Sequence, residues 1–139
     1  MRDYHFYHPI EIRYGDLDPQ GHVNNARYLT YMEQARIGYI QHLGLWKGGS
    51  FMDIGIILAD VHVTFLAPIL FGEQIRVGLR VTQLGNKSIS MEYLFDQSQQ
   101  GRKFASASTV VVAYDYREQC TIQIPEHWRT TIAAFEKLD

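Results

Sequence analysis

Two carboxylates, Asp16 and Asp18, sit in the run Tyr14-Gly15-Asp16-Leu17-Asp18-Pro19-Gln20-Gly21-His22-Val23-Asn24-Asn25, directly before a segment with helical periodicity. A helix begins with backbone N–H groups that have no intrahelical acceptor, and the helix dipole adds to their attraction for negative charge. A carboxylate facing such an end combines a base or nucleophile with a site for a developing oxyanion. That pairing is the minimum equipment for hydrolysing an acyl compound.

Each residue of the run also has a plainer use. Asp-Pro commonly starts a turn, so Asp18 on its own could be a turn residue, and Asp16 reads as an acceptor that holds the loop together. Gly21 permits a positive φ or a close approach of a substrate to the backbone. His22 suits either a proton shuttle or a hydrogen-bonded loop support, and it is assigned to the wall of the site. Asn24 is first a helix cap and second a hydrogen-bonder to water or to an acyl group. Glu33 and Arg36, spaced i,i+3 on the helix, read as a surface or interface ion pair.

The elements that must hold this loop follow from periodicity. Ile10, Ile12 and Tyr14 alternate with Glu11 and Arg13, which predicts a half-buried strand leading into the loop. Tyr28, Met32, Ala35, Tyr39 and Leu43 then form an apolar stripe at helical spacing, capped by Asn24 and stopped by Gly44. The glycine-rich bridge Lys47-Gly48-Gly49-Ser50 leads to a strand that begins near Ile54 and ends at Pro68. Ile75, Val77, Leu79 and Val81 alternate with polar residues, and Ile89, Met91, Tyr93 and Phe95 continue the pattern after the turn Leu84-Gly85-Asn86-Lys87. This predicts an antiparallel pair.

Phe104 to Tyr116 forms the last long strand; its run Val110-Val111-Val112 predicts cover on both faces and the central place in the sheet. Trp128, Ile132 and Phe135 predict a short terminal helix. Strand, long helix, then consecutive strands with short connections predicts an α+β fold, an antiparallel sheet of about five strands wrapped around one long central helix. A chain of 139 residues has room for one domain, taken as 1–139.

Composition narrows the function. With 46% hydrophobic and 20% charged residues the chain reads as globular, and a net charge of −2 with no Lys/Arg-rich run excludes a basic field for gripping nucleic acid. The single cysteine, Cys120, leaves no intrachain disulfide, and no Cys/His cluster has zinc-site spacing, so no metal is expected. No stretch has the length and apolarity of a membrane span or the apolar core of a secretory signal, and the expected setting is cytoplasmic. His5, His8, His42, His62 and His127 show no ligand spacing, while Arg76, Arg80, Lys87, Arg102 and Lys103 read as a solvated polar face.

The run Tyr14 to Asn25, followed by Tyr28, Glu33 and Arg36 and supported by Val63 to Val77, resembles the hot-dog-fold acyl-CoA thioesterases, the 4-hydroxybenzoyl-CoA thioesterase-like family. The resemblance covers the chain from about His5 to Tyr116. It implies thioester hydrolysis, with Asp18 as nucleophile or as general base on water. It also places the carbonyl-polarising group at the backbone N–H of Asn25, so that residue's side chain is weakly constrained. Gly21, His22 and Asn24 become substrate-binding positions, joined at the turn before the fourth strand by Lys87 and Ser88, all that the chain retains of a more basic nucleotide-contacting set.

The resemblance further implies an acyl-CoA substrate, no separate cofactor because coenzyme A belongs to the substrate, and a homodimer or homotetramer with the site between subunits. Asn24 and Asn25 stand where some family members carry aromatic or other residues, so 4-hydroxybenzoyl specificity does not transfer. Two alternatives keep the fold and change the activity. One is hydratase or dehydratase chemistry on acyl thioesters, whose usual Asp-x-Asn-Pro-x-His pattern the chain lacks. The other is a non-catalytic acyl-CoA-binding protein, against which the presence of both Asp18 and the helix start argues.

Overall fold

A computed structural model describes residues 3–138. Strand β1 (Tyr7–Ile10) leads through a 3-10 turn at Tyr14–Asp16 into helix α1 (Asn25–His42). The strands β2 (Ile56–Phe65), β3 (Ile75–Leu84), β4 (Ser88–Asp96), β5 (Lys103–Asp115) and the short β6 (Cys120–Thr121) follow, and helix α2 (Glu126–Glu136) ends the order. The main strands form an antiparallel sheet in the order β1-β3-β4-β5-β2, with β6 paired to β5. This is the expected α+β design.

Helix α1 has 18 residues, about 27 Å of axis. Asn24 caps it by accepting a 2.9 Å hydrogen bond from the Ala26 N–H, as its position before the apolar stripe predicted. The other end closes in a Schellman motif: Leu45 N–H donates to Ile40 C=O, Gly44 N–H donates to Gln41 C=O, and Gly44 takes φ +73°. Tyr28, Met32, Ala35 and Tyr39 are all at most 2% exposed. They pack on the inward faces of the sheet, where Val77, Leu79, Val81, Ile89, Met91, Tyr93 and Phe95 are buried to the same degree. The core therefore lies between one helix face and one sheet face, which the two periodicities dictate.

Two expectations are corrected. The first strand is shifted toward the N-terminus: Ile10 and Ile12 are buried, but Tyr14 is 83% exposed and belongs to the 3-10 turn. The cause is Asp16, whose carboxylate accepts the Arg13 N–H at 3.1 Å and pulls the chain out of extended geometry to bury itself. The valine run is also not the sheet's centre, since β4 holds that place and β5 lies one strand from the edge. On β5 Phe104, Ala105, Ala107, Thr109, Val111 and Ala113 are buried, while Val110 and Val112 on the other face are half-buried.

Among the described residues the edge strand β2 pairs only with β5, and its exposed residues include Ile57, Leu58, Val61 and Phe65. Its register slips between Leu58 and Asp60, a bulge that twists the strand. On the far side of the sheet, Arg76 pairs with Asp96 and Arg80 with Glu92, each residue opposite its partner across β3 and β4. Arg76 and Arg80 also lie over the Tyr7 and Tyr4 rings. The sequence predicted a solvated face here, but Asp96 is buried and Arg76 and Arg80 are only part-exposed, because the cross-strand charge pairs and the two tyrosine rings cover them.

Candidate active site

The loop between the 3-10 turn and α1 is closed by its own backbone. Asp18 N–H donates to His22 C=O at 2.8 Å, Gly21 N–H donates back to Asp18 C=O at 3.0 Å, and Gly21 takes φ +80° as expected. Val23 N–H donates to Ile69 C=O and His22 bridges to Leu70, which ties the loop to the segment joining β2 and β3. Asn24 N–H donates to Asp16 C=O at 2.8 Å and fixes the angle at which the chain enters the helix.

Within this frame the two carboxylates differ. Asp16 is 2% exposed and accepts from the Tyr31 hydroxyl at 2.7 Å and from the Arg13 N–H, with the Arg13 and Arg27 guanidinium groups 3.8 and 3.7 Å away. Burial pushes its carboxyl upward, but those hydrogen bonds and charges prevail and hold it below the ordinary carboxylate value. The Tyr31 hydroxyl is driven well above its ordinary value, first by burial and then by its bond to Asp16.

Asp18 is half-buried, and its Oδ1 accepts from the Gln20 N–H at 3.0 Å and the His22 N–H at 3.2 Å. Its Oδ2 has no hydrogen bond among the described residues. The carboxylate is thus oriented by one oxygen and free at the other, facing a cavity of about 270 Å³ that it shares with His22, Asn25, Tyr28 and Phe65. The Tyr28 and Phe65 rings meet edge-on with centroids 4.9 Å apart and form an apolar wall. Burial raises the Tyr28 phenol to about 12, so this wall stays neutral across the physiological range.

Asn25 occupies the first position of α1, and its backbone N–H has no protein acceptor among the described residues. A free carboxylate oxygen and a free helix N–H border one cavity, the arrangement needed to deliver a base or nucleophile to a carbonyl whose oxygen is held. Asp18, His22 and Asn25 line this cavity, whereas Gly21 and Asn24 belong to the same loop without lining it, and the Asn24 Oδ1 is used by the Ala26 N–H. Lys87 and Ser88 lie elsewhere. Phe65 and Phe95 both pair with Ala105, whereas Ser88 is at the other end of β4, roughly 23 Å of strand away. Lys87 donates to the Thr121 hydroxyl at 3.1 Å.

The expected Glu33–Arg36 ion pair does not form. Arg36 turns inward, is 7% exposed and donates to the Tyr93 hydroxyl at 3.1 Å, while Glu33 is exposed. Tyr31 and Arg36 were both missed as interior polar groups. The signal for Arg36 was its place between Ala35 and Tyr39, beside the buried stripe. Among the described residues no group of three or more His, Cys, Asp and Glu side chains is disposed to hold a metal ion.

One helix cradled by an antiparallel sheet, with an acidic loop at the helix start, defines the hot-dog thioesterases. The chain belongs to the thioesterase-like superfamily, whose pattern matches residues 12–132, and it is a thioester hydrolase. It is similar to a thioesterase from Thermus thermophilus, crystallised with coenzyme A and Zn, at 35% identity and TM-score 0.84 over 99% of this chain and 98% of that one. The long-chain acyl-CoA thioesterase FadM of Escherichia coli is 23% identical over 92% of this chain and 97% of its own. The 1,4-dihydroxy-2-naphthoyl-CoA hydrolase of Synechocystis is 25% identical over 91% of this chain and 94% of its own. No helix among the described residues is long and apolar enough to cross a membrane.

Proposed function

We propose that the chain hydrolyses acyl-CoA thioesters, with the Asp18 carboxylate attacking the carbonyl or taking a proton from the attacking water. The observation that carries this reading is the Asp18 carboxylate, pinned at Oδ1 by two loop N–H groups and open at Oδ2, in one cavity with the Asn25 N–H at the helix start. In the general-base route, water adds to the carbonyl carbon and its proton passes to Asp18. The carbonyl oxygen becomes an oxyanion that accepts from the Asn25 N–H. Collapse of the tetrahedral intermediate breaks the C–S bond, and the CoA thiolate takes the proton back from Asp18. In the nucleophilic route Asp18 forms an acyl anhydride, the thiolate leaves, and water then hydrolyses the anhydride. A thioester has a good leaving group, so either route needs little beyond the carboxylate and the N–H.

No group besides the coenzyme A of the substrate enters this reading, and the setting is cytoplasmic. The exposed apolar edge of β2 supports self-association, since such an edge is a template for pairing with another chain, and a homodimer or homotetramer covers it. The test is Asp18→Asn, assayed by thiol release across short, medium, long and aromatic acyl-CoAs. The expected loss in kcat is about 10²- to 10⁴-fold. Full activity in the variant overturns the assignment.

A further inference from the structure

A second cavity, of about 580 Å³, opens between α1 and β2 beyond the Asp18 cavity. Tyr28 borders the first and the next helix residue, Leu29, borders the second; β2 walls both, through Phe65 in one and through Ile56, Leu58 and Val61 in the other. Both cavities are thus bounded by α1 and β2, the first toward the helix start and the second farther along, with no lining residue in common. The lining of the second is apolar apart from Arg36, Glu33 and the Tyr116 hydroxyl, and that hydroxyl is already committed to the Ile56 C=O.

Arg36 is the anomaly. It is more than nine-tenths buried, yet among the described residues no carboxylate lies within ion-pair distance of it, and its single hydrogen bond runs from Nη1 to the Tyr93 hydroxyl. That hydroxyl is 2.7 Å from the Thr109 Oγ1, so the Tyr93 and Thr109 hydroxyls hold the inner edge of the guanidinium in place. Nε and Nη2 bond to nothing, and neither is sealed from solvent, because the sole buried polar atom without a partner among the described residues is the Oε1 of Gln97. With Arg36 in the cavity lining, that edge opens into the cavity. Nε and Nη2 together form the side of a guanidinium that accepts a carboxylate through two parallel hydrogen bonds. A cation held in apolar surroundings without a counterion favours an anionic ligand far more than a solvated one does.

We propose that Arg36 is a specificity residue that receives a carboxylate at the far end of the acyl group, so that the preferred substrates are CoA monothioesters of α,ω-dicarboxylic acids. This rests on the thioesterase reading of the Asp18 site and adds the class of acyl group. Asn25 and Arg36 are about 16 Å apart along the helix axis, and the arginine side chain leans back toward the helix start, so an extended acyl chain spans from the Asn25 N–H to the guanidinium. Glu33 stands on the exposed rim, where water and salt screen it.

The test compares kcat/KM for adipoyl-, suberoyl- and sebacoyl-CoA with hexanoyl-, octanoyl- and decanoyl-CoA. The expected result is a preference of more than tenfold for the carboxylated member at one chain length or more. Arg36→Met is expected to reverse that preference, and Arg36→Lys, which keeps the charge and loses the fork, to reduce it. Equal kcat/KM within every pair overturns the proposal, as does an equal fall for both members in Arg36→Met, the mark of a structural arginine. A preference absent from the wild type and present in Glu33→Gln also overturns it, because Glu33 then neutralises Arg36. Should Arg36→Met not fold, inhibition of the wild type decides: suberate must inhibit at least tenfold more strongly than octanoate, and equal inhibition overturns the proposal. Failure of the underlying reading looks different, as no thiol release from either series or as release unchanged in Asp18→Asn.

Discussion

The two ends of α1 use the same chemical pair for different purposes. At its start the Tyr31 hydroxyl donates to Asp16 at 2.7 Å, and near its end the Tyr39 hydroxyl donates to Glu136 of α2 at 2.7 Å. Glu136 is 6% exposed and its Oε2 also accepts the Val81 N–H at 2.9 Å. Strand β1 pairs with β3 only as far as Gly78, so the Val81 N–H points past the end of that ladder and the carboxylate supplies the missing acceptor. The C-terminal end is thereby sealed by α2. At the N-terminal end a second carboxylate, Asp18, follows the buried one and keeps an oxygen free. A buried carboxylate with every partner in place is a fastener; the one left incomplete beside a helix N–H is the one available to react.

The largest effects should separate these roles. Asp18→Asn is expected to abolish most turnover and to leave the thermal midpoint within a few degrees of wild type, since the asparagine oxygen can still accept from the Gln20 and His22 N–H groups. Glu136→Ala is expected to do the reverse. It strands the Tyr39 hydroxyl and the Val81 N–H in the core and costs about 3 kcal/mol, read as a lower urea midpoint, while kcat per folded molecule is kept. If Glu136→Ala lowers kcat of the folded enzyme as far as Asp18→Asn does, the contrast between the two ends collapses.

What the sequence disclosed follows the range of the interactions involved. Asn24, the stripe from Tyr28 to Tyr39 and Gly44 act within a few residues of one another, and the helix lies where they placed it. The β3–β4 pair was equally legible because alternation and a short turn suffice to define it. Strand order was not, since the Val110-Val111-Val112 run records apolarity and not which strands flank it. The break before Tyr14 was hidden because it depends on a long-range partner, Tyr31, that draws Asp16 inside. Asp16 and Asp18 were told apart by resemblance rather than by pattern, since an irregular loop has no period. Arg36 was misread because its i,i+3 spacing to Glu33 was weighed without the orientation of the helix face.

A smaller effect probes the fastener itself. The Asp16 carboxyl is held below its ordinary value of 3.8, the net result of burial opposed by Tyr31, the Arg13 amide and the two arginines. A depressed folded value means that the ionised form is the one the native state favours. The contribution is complete above about pH 4 and is lost as pH falls through the lower folded value. Asp16→Asn should therefore cost stability at pH 7 by about 1.5 to 3 kcal/mol and flatten the acid limb of the stability curve below pH 4. A limb as steep as that of the wild type in urea titrations at pH 2 to 5 would place the acid sensitivity elsewhere.

The smallest effect lies where fastener and site meet. Asn24 is exposed, so Asn24→Ala removes no core contact and acts only through the cap, leaving the Ala26 N–H without its acceptor. The expected cost is about 1 kcal/mol, a drop of several degrees in thermal midpoint. The Asn25 N–H belongs to the same first turn, and fraying there spoils the alignment of an oxyanion donor that is used most in the transition state. Asn24→Ala should thus lower kcat more than it raises KM, and Asn24→Ser, which restores a cap acceptor, should recover both stability and kcat. If Asn24→Ser regains the stability and not the rate, the asparagine amide itself touches the substrate, and the cap and the binding position must then be counted as separate functions of one residue.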